Sequence, residues 1–348
     1  MRSAQLFAPE DLRIVEMPTP EPEAGQVLVR VMAYSPYGTD VGTYLNKGGR
    51  YVSEYPIGIG ADFSGIVEKC GPGVDDVQRG DRVSALALDH CGTCANCSNG
   101  RTNLCLDPEF QTFVRQTACE EFTLVSACKL ARLPDVVSFE EAAMLAGPVD
   151  ALNAFEQMGL KAGDEVTILG VGAMGLGAIA TAKALELRTI AVGGSGKRAE
   201  LARRMGADEV HPIPHHGYDL AADLLANDKS AAAILETTAS AWGIEQSFKL
   251  ASPGGAIALT GGPDLPATAW TLVERELRLF GVKGGAGQAQ ILSLIAEGKL
   301  DLASGISRRF DFEEANDALA LLASEEARDV GRVIIRIGDY ENAKETPS

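Results

Sequence analysis

The sequence predicts a two-domain α/β protein: a β-rich first part followed by a doubly wound parallel sheet. Three observations carry this expectation. As far as about residue 140 the chain reads as short strands broken by Pro- and Gly-containing turns; after Lys161 strands and helices alternate; and Gly170–Gly175, between the first of those strands and its helix, spell G-x-G-x-x-G. A length of 348 residues accommodates two domains.

The elements follow in order. LRIVEMPTPEPEAGQVLVRVMAYSP alternates apolar and polar residues and is broken by Pro and Gly, and GADFSGIVEKCGPGVDDVQRGDRVSALAL forms a second strand–turn–strand region. Helical periodicity first appears in SFEEAAMLAGPVDALNAFEQMG, where Ser138 takes the N-cap and Glu141 the capping-box position. Beyond Lys161, EVTIL is a strand, AMGLGAIATAKAL a helix and TIAVGG the next strand; AAAILETTA, GAIALTGG and LRLFGV follow as short apolar strands. The stretch from QILSLIAEGKLD to ARDVGRVIIRI reads helix, strand, helix, strand and is expected to return to the first domain. The final DYENAKETPS is expected to fray.

Charge excludes some functions. With 31 basic and 48 acidic residues the formal net charge is −17, which repels nucleic acid and anionic membrane surfaces. An anionic ligand must therefore be held by local groups. The N-terminus lacks the apolar core of a signal peptide and no 18-residue apolar run occurs, so a cytoplasmic protein is expected, with no membrane and no nucleic-acid partner.

Cys91, Cys94, Cys97 and Cys105 form C-x2-C-x2-C-x7-C. Each C-x2-C step aims two sulfurs at one point, and four soft thiolates in a tetrahedron suit zinc at a Zn–S distance of ~2.3 Å. Four protein ligands leave no open position, so this zinc is expected to be structural. A disulfide cluster is the competing reading, disfavoured in a cytosolic chain. Cys70, Cys119 and Cys128 are scattered and read as small packed side chains.

The glycine fingerprint assigns a cofactor class. Gly170 permits the tight turn, Gly172 lets a pyrophosphate approach the backbone, and Gly175 allows close helix–strand packing; Ala173 and Met174 open the helix whose N-terminus faces the phosphates. At the end of the next strand an NAD-preferring site carries an acid for the ribose 2′-hydroxyl, but here the residue is Gly193. Gly193, Gly194 and Ser195 make room and offer backbone N–H groups as an anion nest, with Lys197 and Arg198 opening the following helix. Cations at a helix N-terminus oppose its dipole, and in so acidic a chain their placement points to a bound 2′-phosphate, hence NADP(H). A solvated basic turn is the alternative.

The chain resembles the medium-chain dehydrogenase/reductase superfamily, the zinc alcohol dehydrogenase and quinone reductase group. The resemblance rests on GDRV (Gly80–Val83), the four-cysteine lobe, LPD (Leu133–Asp135), SFEEAA (Ser138–Ala143), the fingerprint, GAD (Gly206–Asp208) and the closing GRVIIRI. It implies a partly barrel-like, GroES-like catalytic domain at 1–147 and 288–348, with a zinc lobe at 90–106, split around a Rossmann domain at 148–287. It further implies a homodimer or homotetramer acting on a small molecule.

Departures from the family pattern shape the functional expectation. Where the zinc alcohol dehydrogenases place a catalytic cysteine before Gly-Thr-Asp, this chain has Tyr37 before Gly38-Thr39-Asp40; a relay or ligand histidine is replaced by Gly42, and the ligand histidine of Gly-His-Glu by Ala61 in Gly60-Ala61-Asp62. One carboxylate, Asp62, does not hold a catalytic zinc, and it is expected to bond nearby backbone. The stretch Gly60–Gly65 looks instead like the zinc-free quinone and enoyl reductase branch. The resemblance therefore implies an NADPH-dependent reductase of an activated C=C bond or a quinone. Tyr51 is the candidate proton donor, Tyr37 and Tyr44 are its rivals, and Thr39 is the hydroxyl near the substrate oxygen. An alcohol or aldehyde dehydrogenase is the alternative, and a catalytically silent NADPH-binding scaffold or sensor a further one. Glu120-Glu121 reads as a solvated strand edge, and His90, His211, His215 and His216 as surface or loop residues.

Overall fold

The computed structural model describes residues 1–46, 52, 54–85, 89–107, 117–194, 196–213, 217–227, 229–284 and 286–338. Tyr51, Ser195, His215, His216 and the terminal DYENAKETPS lie outside the described residues. The chain divides into two compact units: Met1–Leu145 with Gln288–Ala296 and Ile306–Ser348, and Ala146–Gly287 with Glu297–Gly305.

The first unit contributes β1 (Arg2–Ala8), β2 (Asp11–Glu16), β3 (Gln26–Tyr34), β4 (Ile57–Gly58), β5 (Phe63–Cys70), β6 (Arg82–Ala85), β7 (Phe122–Ser126) and β8 (Leu130–Arg132). The second contributes β9 (Glu165–Leu169), β10 (Arg188–Val192), β11 (Glu209–His211), β12 (Ala231–Glu236), β13 (Ala251–Leu259) and β14 (Arg278–Gly281), after which β15 (Ile306–Asp311) and β16 (Arg332–Arg336) belong to the first unit again.

In the first unit a seven-stranded sheet runs β15-β16-β3-β5-β6-β8 with β7 paired to β3, beside a small sheet β2-β1-β4. The segment QVLVRVMAY of β3 is buried along almost its whole length, because both its faces are covered. It pairs antiparallel with β5, β7 and β16. Gly65 on β5 is required by this crowding, since a Cβ there would lie 2.3 Å from the Arg30 carbonyl oxygen. Leu6, Val29, Val31, Tyr34, Phe63 and Phe312 share one core.

The second unit is a six-stranded, wholly parallel sheet in the order β11-β10-β9-β12-β13-β14. This is the doubly wound Rossmann order, with its topological switch point between β9 and β12. Ile168, Leu169, Val192, Ile234 and Ile257 fill its core.

Three features differ from the sequence reading. The helix Gly38–Tyr44 has no counterpart in it, since a seven-residue GTDVGTY with two glycines carries little intrinsic helical signal. SFEEAAMLAGPVDALNAFEQMG forms two helices, Phe139–Ala142 and Ala146–Met158. Ser138 caps the first, its Oγ accepting the Glu141 N–H at 3.2 Å, and Pro148 lies in the first turn of the second, where no N–H is needed. Finally, Glu297–Gly305 belongs to the second unit rather than the first: its Ala303–Gly305 turn packs on the helix Gly196–Met205, and Arg204 Nη2 donates to the Ser304 carbonyl at 3.2 Å. Among the described residues no helix is long and apolar enough to cross a membrane.

Candidate functional site

The four lobe cysteines converge, all four Sγ atoms lying within 4.8 Å of one another. Cys94–Cys97 and Cys91–Cys97 Sγ separations of 3.4 and 4.0 Å are those of sulfurs around a common centre, not the ~2.05 Å of a disulfide. Backbone N–H groups are turned onto the sulfurs: Cys94 donates to Cys91 Sγ at 3.4 Å, Leu106 to Cys94 Sγ at 3.4 Å and Cys91 to Cys105 Sγ at 3.3 Å. Donation from Thr93 and Cys94 lowers the Cys91 thiol to about 6, and the Leu106 N–H lowers Cys94. Burial and the neighbouring sulfurs push Cys97 up to about 12. The donor set and its convergence fit a zinc ion, whose binding would release the remaining protons.

In the second unit, Gly170 closes β9 at φ +110° and faces Thr237 Oγ1, 2.5 Å from where its Cβ would stand. Gly175 is packed so closely that a Cβ would lie 1.9 Å from the Gly170 carbonyl oxygen. Gly172 is different: at φ −82° it is in ordinary backbone, and the nearest group to a Cβ there is Arg198 Nη1 at 4.0 Å. Among the described residues nothing crowds a Cβ at 172, so this turn has room for a ligand. Gly172 also N-caps the helix Ala173–Ala184 without a side-chain cap, which leaves first-turn N–H groups for an anion. A dinucleotide pyrophosphate fits this turn.

Beyond β10, Gly193 and Gly194 take φ +119° and +81°. The Gly193 N–H donates to the His211 carbonyl at 2.9 Å, so the anion nest expected there does not include it. Arg198 reaches back from its helix across Gly194, its Cβ 2.8 Å from where that glycine's would stand, to the Gly172 turn; Lys197 is exposed. The structure thus brings Gly172, Gly194 and Arg198 together.

The neighbouring end of β12 was missed by sequence reasoning. Glu236, fully buried at the end of β12, accepts the Thr238 and Ala239 N–H groups at 2.8 and 3.1 Å, holding Ala239 at φ +51°. Thr237 Oγ1 donates to the Leu169 carbonyl at 3.1 Å, tying this loop to the fingerprint. An acid closing an apolar strand was the available signal.

In the first unit, Tyr37 stands where the resemblance expects a metal ligand. Its hydroxyl donates to the Met144 carbonyl at 3.0 Å, and the Arg332 guanidinium lies 3.9 Å over its ring. Asp40 is buried and accepts the Tyr37 N–H at 2.7 Å, with the Tyr34 hydroxyl and the Gly60 N–H beside it; burial raises its carboxyl to about 6. Asp62 is also buried, and burial together with the Asp40 charge raises it to about 7 against the opposing pull of Arg332. The backbone bonds expected for Asp62 are not formed among the described residues. Arg332 donates through Nη2 to Ser35 Oγ at 2.5 Å, while Nε and Nη1 are buried without a hydrogen-bond partner among the described residues. A catalytic metal does not fit here: Tyr37 is committed to Met144 and Arg332, Ala61 has no ligand atom, and a fixed cation already stands beside the two acids.

The other candidates separate. Thr39 is exposed on the first turn of its helix. Tyr44 is packed, its hydroxyl between the Glu10 carbonyl (3.3 Å) and Asn316 Oδ1 (3.2 Å). Glu120 is not a solvated edge: it is buried and accepts from Ser3 Oγ at 2.8 Å and Thr117 Oγ1 at 2.6 Å, while Glu121 pairs with Arg2 at 2.8 Å. His211 is partly buried beside Glu209 at 2.8 Å.

Comparison with known proteins identifies the family of the chain. Residues 23–135 match the alcohol dehydrogenase GroES-like domain, and residues 173–297 match the zinc-binding dehydrogenase family. Sorbitol dehydrogenase of Bacillus subtilis is 28% identical over 330 residues, 92% of each chain. Alcohol dehydrogenase of Geobacillus stearothermophilus is 29% identical, covering 94% of this chain and 96% of that one. Among solved structures, an NAD-dependent alcohol dehydrogenase superposes with a TM-score of 0.82 at 30% identity, covering 97% of this chain and all of the other. Galactitol-1-phosphate dehydrogenase from Escherichia coli gives 0.84 at 27% identity, with the same coverage.

Proposed function

Because the chain belongs to the alcohol dehydrogenase-like, zinc-binding branch of the medium-chain dehydrogenase/reductase family, and is therefore an oxidoreductase, we propose that it is an NADPH-dependent reductase. Its substrate is a small molecule with an activated C=C bond (an enone, enal or enoyl type) or a quinone, and its single zinc is structural, held by Cys91, Cys94, Cys97 and Cys105. One observation carries the reading: the position of the expected metal ligand is filled by Tyr37, hydrogen-bonded to Met144 and stacked under Arg332. Among the described residues no ligand set beside Tyr37 supports polarisation of an unactivated alcohol or carbonyl by a Lewis acid.

Bound NADPH supplies the hydride. The protein's part is to hold the pyrophosphate at Gly170–Gly175, with Ala173 and Met174 opening the helix, and to receive the 2′-phosphate with Gly194, Lys197 and Arg198, adjoined by Gly193 and Ser195. Thr39 and Tyr51 are the candidate contacts to the substrate oxygen, where negative charge develops. Tyr37 drops out of that role, since its hydroxyl proton is directed to the Met144 carbonyl.

The names of the relatives favour a second reading, an alcohol or polyol dehydrogenase. Cinnamaldehyde with NADPH separates the two. Hydrocinnamaldehyde as product supports the reductase; cinnamyl alcohol supports the dehydrogenase. Metal analysis gives an independent answer: about one zinc per chain is expected here, and two would require a catalytic site.

A further inference from the structure

Glu236 is fully buried at the end of β12, and among the described residues it forms no ion pair. An apolar side chain would fill this place without the desolvation penalty of a carboxylate. What an apolar side chain could not do is set the backbone that follows. Glu236 Oε1 accepts the Thr238 N–H at 2.8 Å and the Thr238 hydroxyl, and Oε2 accepts the Ala239 N–H at 3.1 Å. The helix Ala241–Leu250 begins directly beyond. Ser240 caps it, its Oγ accepting the Gly243 N–H at 3.0 Å, and a Cβ at Gly243 would lie 2.4 Å from Glu236 Oε1. The positive end of that helix therefore favours the carboxylate. Together these bonds wrap the chain onto one side chain and hold Ala239 at φ +51°, a conformation alanine adopts only under constraint.

Thr237 is aimed the other way. Its N–H and Oγ1 donate to the Leu169 carbonyl at 2.9 and 3.1 Å, and Oγ1 lies 3.3 Å from the Gly170 carbonyl oxygen. The same Oγ1 stands 2.5 Å from where a Cβ of Gly170 would be and 3.1 Å from that of Gly175. One hydroxyl thus braces the first and last glycines of the fingerprint, and the residues on either side of it are bound to each other through the Glu236 carboxylate.

We propose that Glu236 is a positioning residue of the dinucleotide site. It does not touch the cofactor; it holds Thr237 against Gly170, so that the Gly170–Gly175 turn keeps the shape that receives a pyrophosphate. This role rests on the reading of that turn as the phosphate site, and is independent of the choice between NADPH and NADH and of the reaction catalysed.

Two consequences separate this role from packing alone. The pyrophosphate is common to both cofactors, so loss of Glu236 must weaken both by the same factor. Glu236 also acts only through Thr237, so removing both residues should be no worse than removing one.

Glu236→Gln keeps the shape of the side chain but turns an amide N–H₂ toward one of the backbone donors. Fluorescence titration of the folded variant, well below its Tm, should give dissociation constants for NADPH and NADH that are each raised roughly tenfold. Thr237→Val should do the same, and the double variant should stay near tenfold rather than reach the hundredfold of independent sites. With cinnamaldehyde as acceptor, and whichever product forms, KM for the cofactor should rise by that factor while kcat at saturation stays within about twofold. Dissociation constants of Glu236→Gln within about threefold of wild type overturn the proposal, as do a multiplicative double variant, an effect on NADPH alone, or a fall in kcat with KM unmoved. If Glu236→Gln does not fold, Thr238→Val serves. It removes the hydroxyl bond to the carboxylate and leaves both N–H donors, and should raise both constants roughly three- to fivefold; unchanged constants overturn the proposal. Wild type that binds neither NADPH nor NADH would remove the phosphate reading of the turn and this role with it. Wild type that binds them, with a Glu236→Gln variant that binds as well, would remove the positioning role alone.

Discussion

Replacing Gly172 by alanine separates what the protein needs from what its ligand needs. The residue has φ −82° and ψ −164°, which alanine adopts without strain, and its Cβ would meet nothing nearer than Arg198 Nη1 at 4.0 Å. Two small effects on stability oppose each other. Alanine restricts the unfolded chain, stabilising by about 0.4–1 kcal/mol, whereas it is a poorer N-cap than glycine by a few tenths of a kcal/mol or more. The expected net change is within about 0.5 kcal/mol, a shift in Tm of roughly 2 °C or less. Cofactor binding should respond differently. The methyl group occupies the place where a pyrophosphate oxygen meets backbone N–H groups, and one lost charge-assisted hydrogen bond is worth about 1.5–3 kcal/mol. That is roughly a 10- to 150-fold rise in the dissociation constant for NADPH. Gly175→Ala is the contrast. Its Cβ would stand 1.9 Å from a backbone oxygen, so helix and strand must part, at about 1–3 kcal/mol or more, and both stability and binding should fall. Thermal unfolding of the apoprotein and fluorescence titration with NADPH measure the two quantities. NADPH affinity of Gly172→Ala within threefold of wild type would refute the assignment of this turn to the phosphates; a large loss of Tm would show that the protein itself requires the glycine.

Cys97→Ser should reduce zinc content below one per chain and lower Tm, while hydride transfer per folded molecule survives; selective loss of chemistry would contradict a structural role. Lys197→Ala combined with Arg198→Ala should raise KM for NADPH by roughly tenfold or more and KM for NADH by clearly less, since both carry the pyrophosphate assigned to the Gly172 turn beside Arg198 but only NADPH carries a 2′-phosphate. Equal effects on both cofactors would remove the phosphate assignment. Tyr37→Phe keeps the ring under Arg332 and loses only the bond to the Met144 carbonyl, so it should cost about 1 kcal/mol of stability with kcat unchanged. A collapse of kcat would return the Tyr37 hydroxyl to the catalytic group.

What could be read in the sequence was local in the sequence. The cysteines fall within fifteen residues and the fingerprint within six, so their spacing alone carries their geometry. The same holds for the Ser138 cap, whose partner is three residues away. Contacts made by distant strands were not legible. Arg332 reaches Tyr37 only because β16 pairs beside β3, through Ile335 with Tyr34. Without that pairing, Tyr37 read as a rival candidate proton donor and Asp62 as an ordinary backbone acceptor. Glu120 presents the same problem: an acid in an acidic pair reads as solvated until Ser3 and Thr117 are brought to it. The helix Gly38–Tyr44 is short and glycine-containing, and packing against the distant helix Ala315–Ala323 supports it where its own propensity does not.

The return of β16 to β3 also has a consequence for how the protein is made. Two of the three partners of β3, β5 and β7, lie within the first 126 residues, but β16 begins at Arg332. On the ribosome, the whole parallel sheet of the second unit is translated before the strand that carries the counter-charge to Asp40 and Asp62. The nascent first unit must therefore wait with an open edge and two acids it cannot yet bury, while the unit inserted into it is free to fold. Completion of the core of the first unit is thereby coupled to synthesis of the final strand described, and a chain arrested before Arg332 would leave Ala33 and Tyr34 of β3 without their β16 partners.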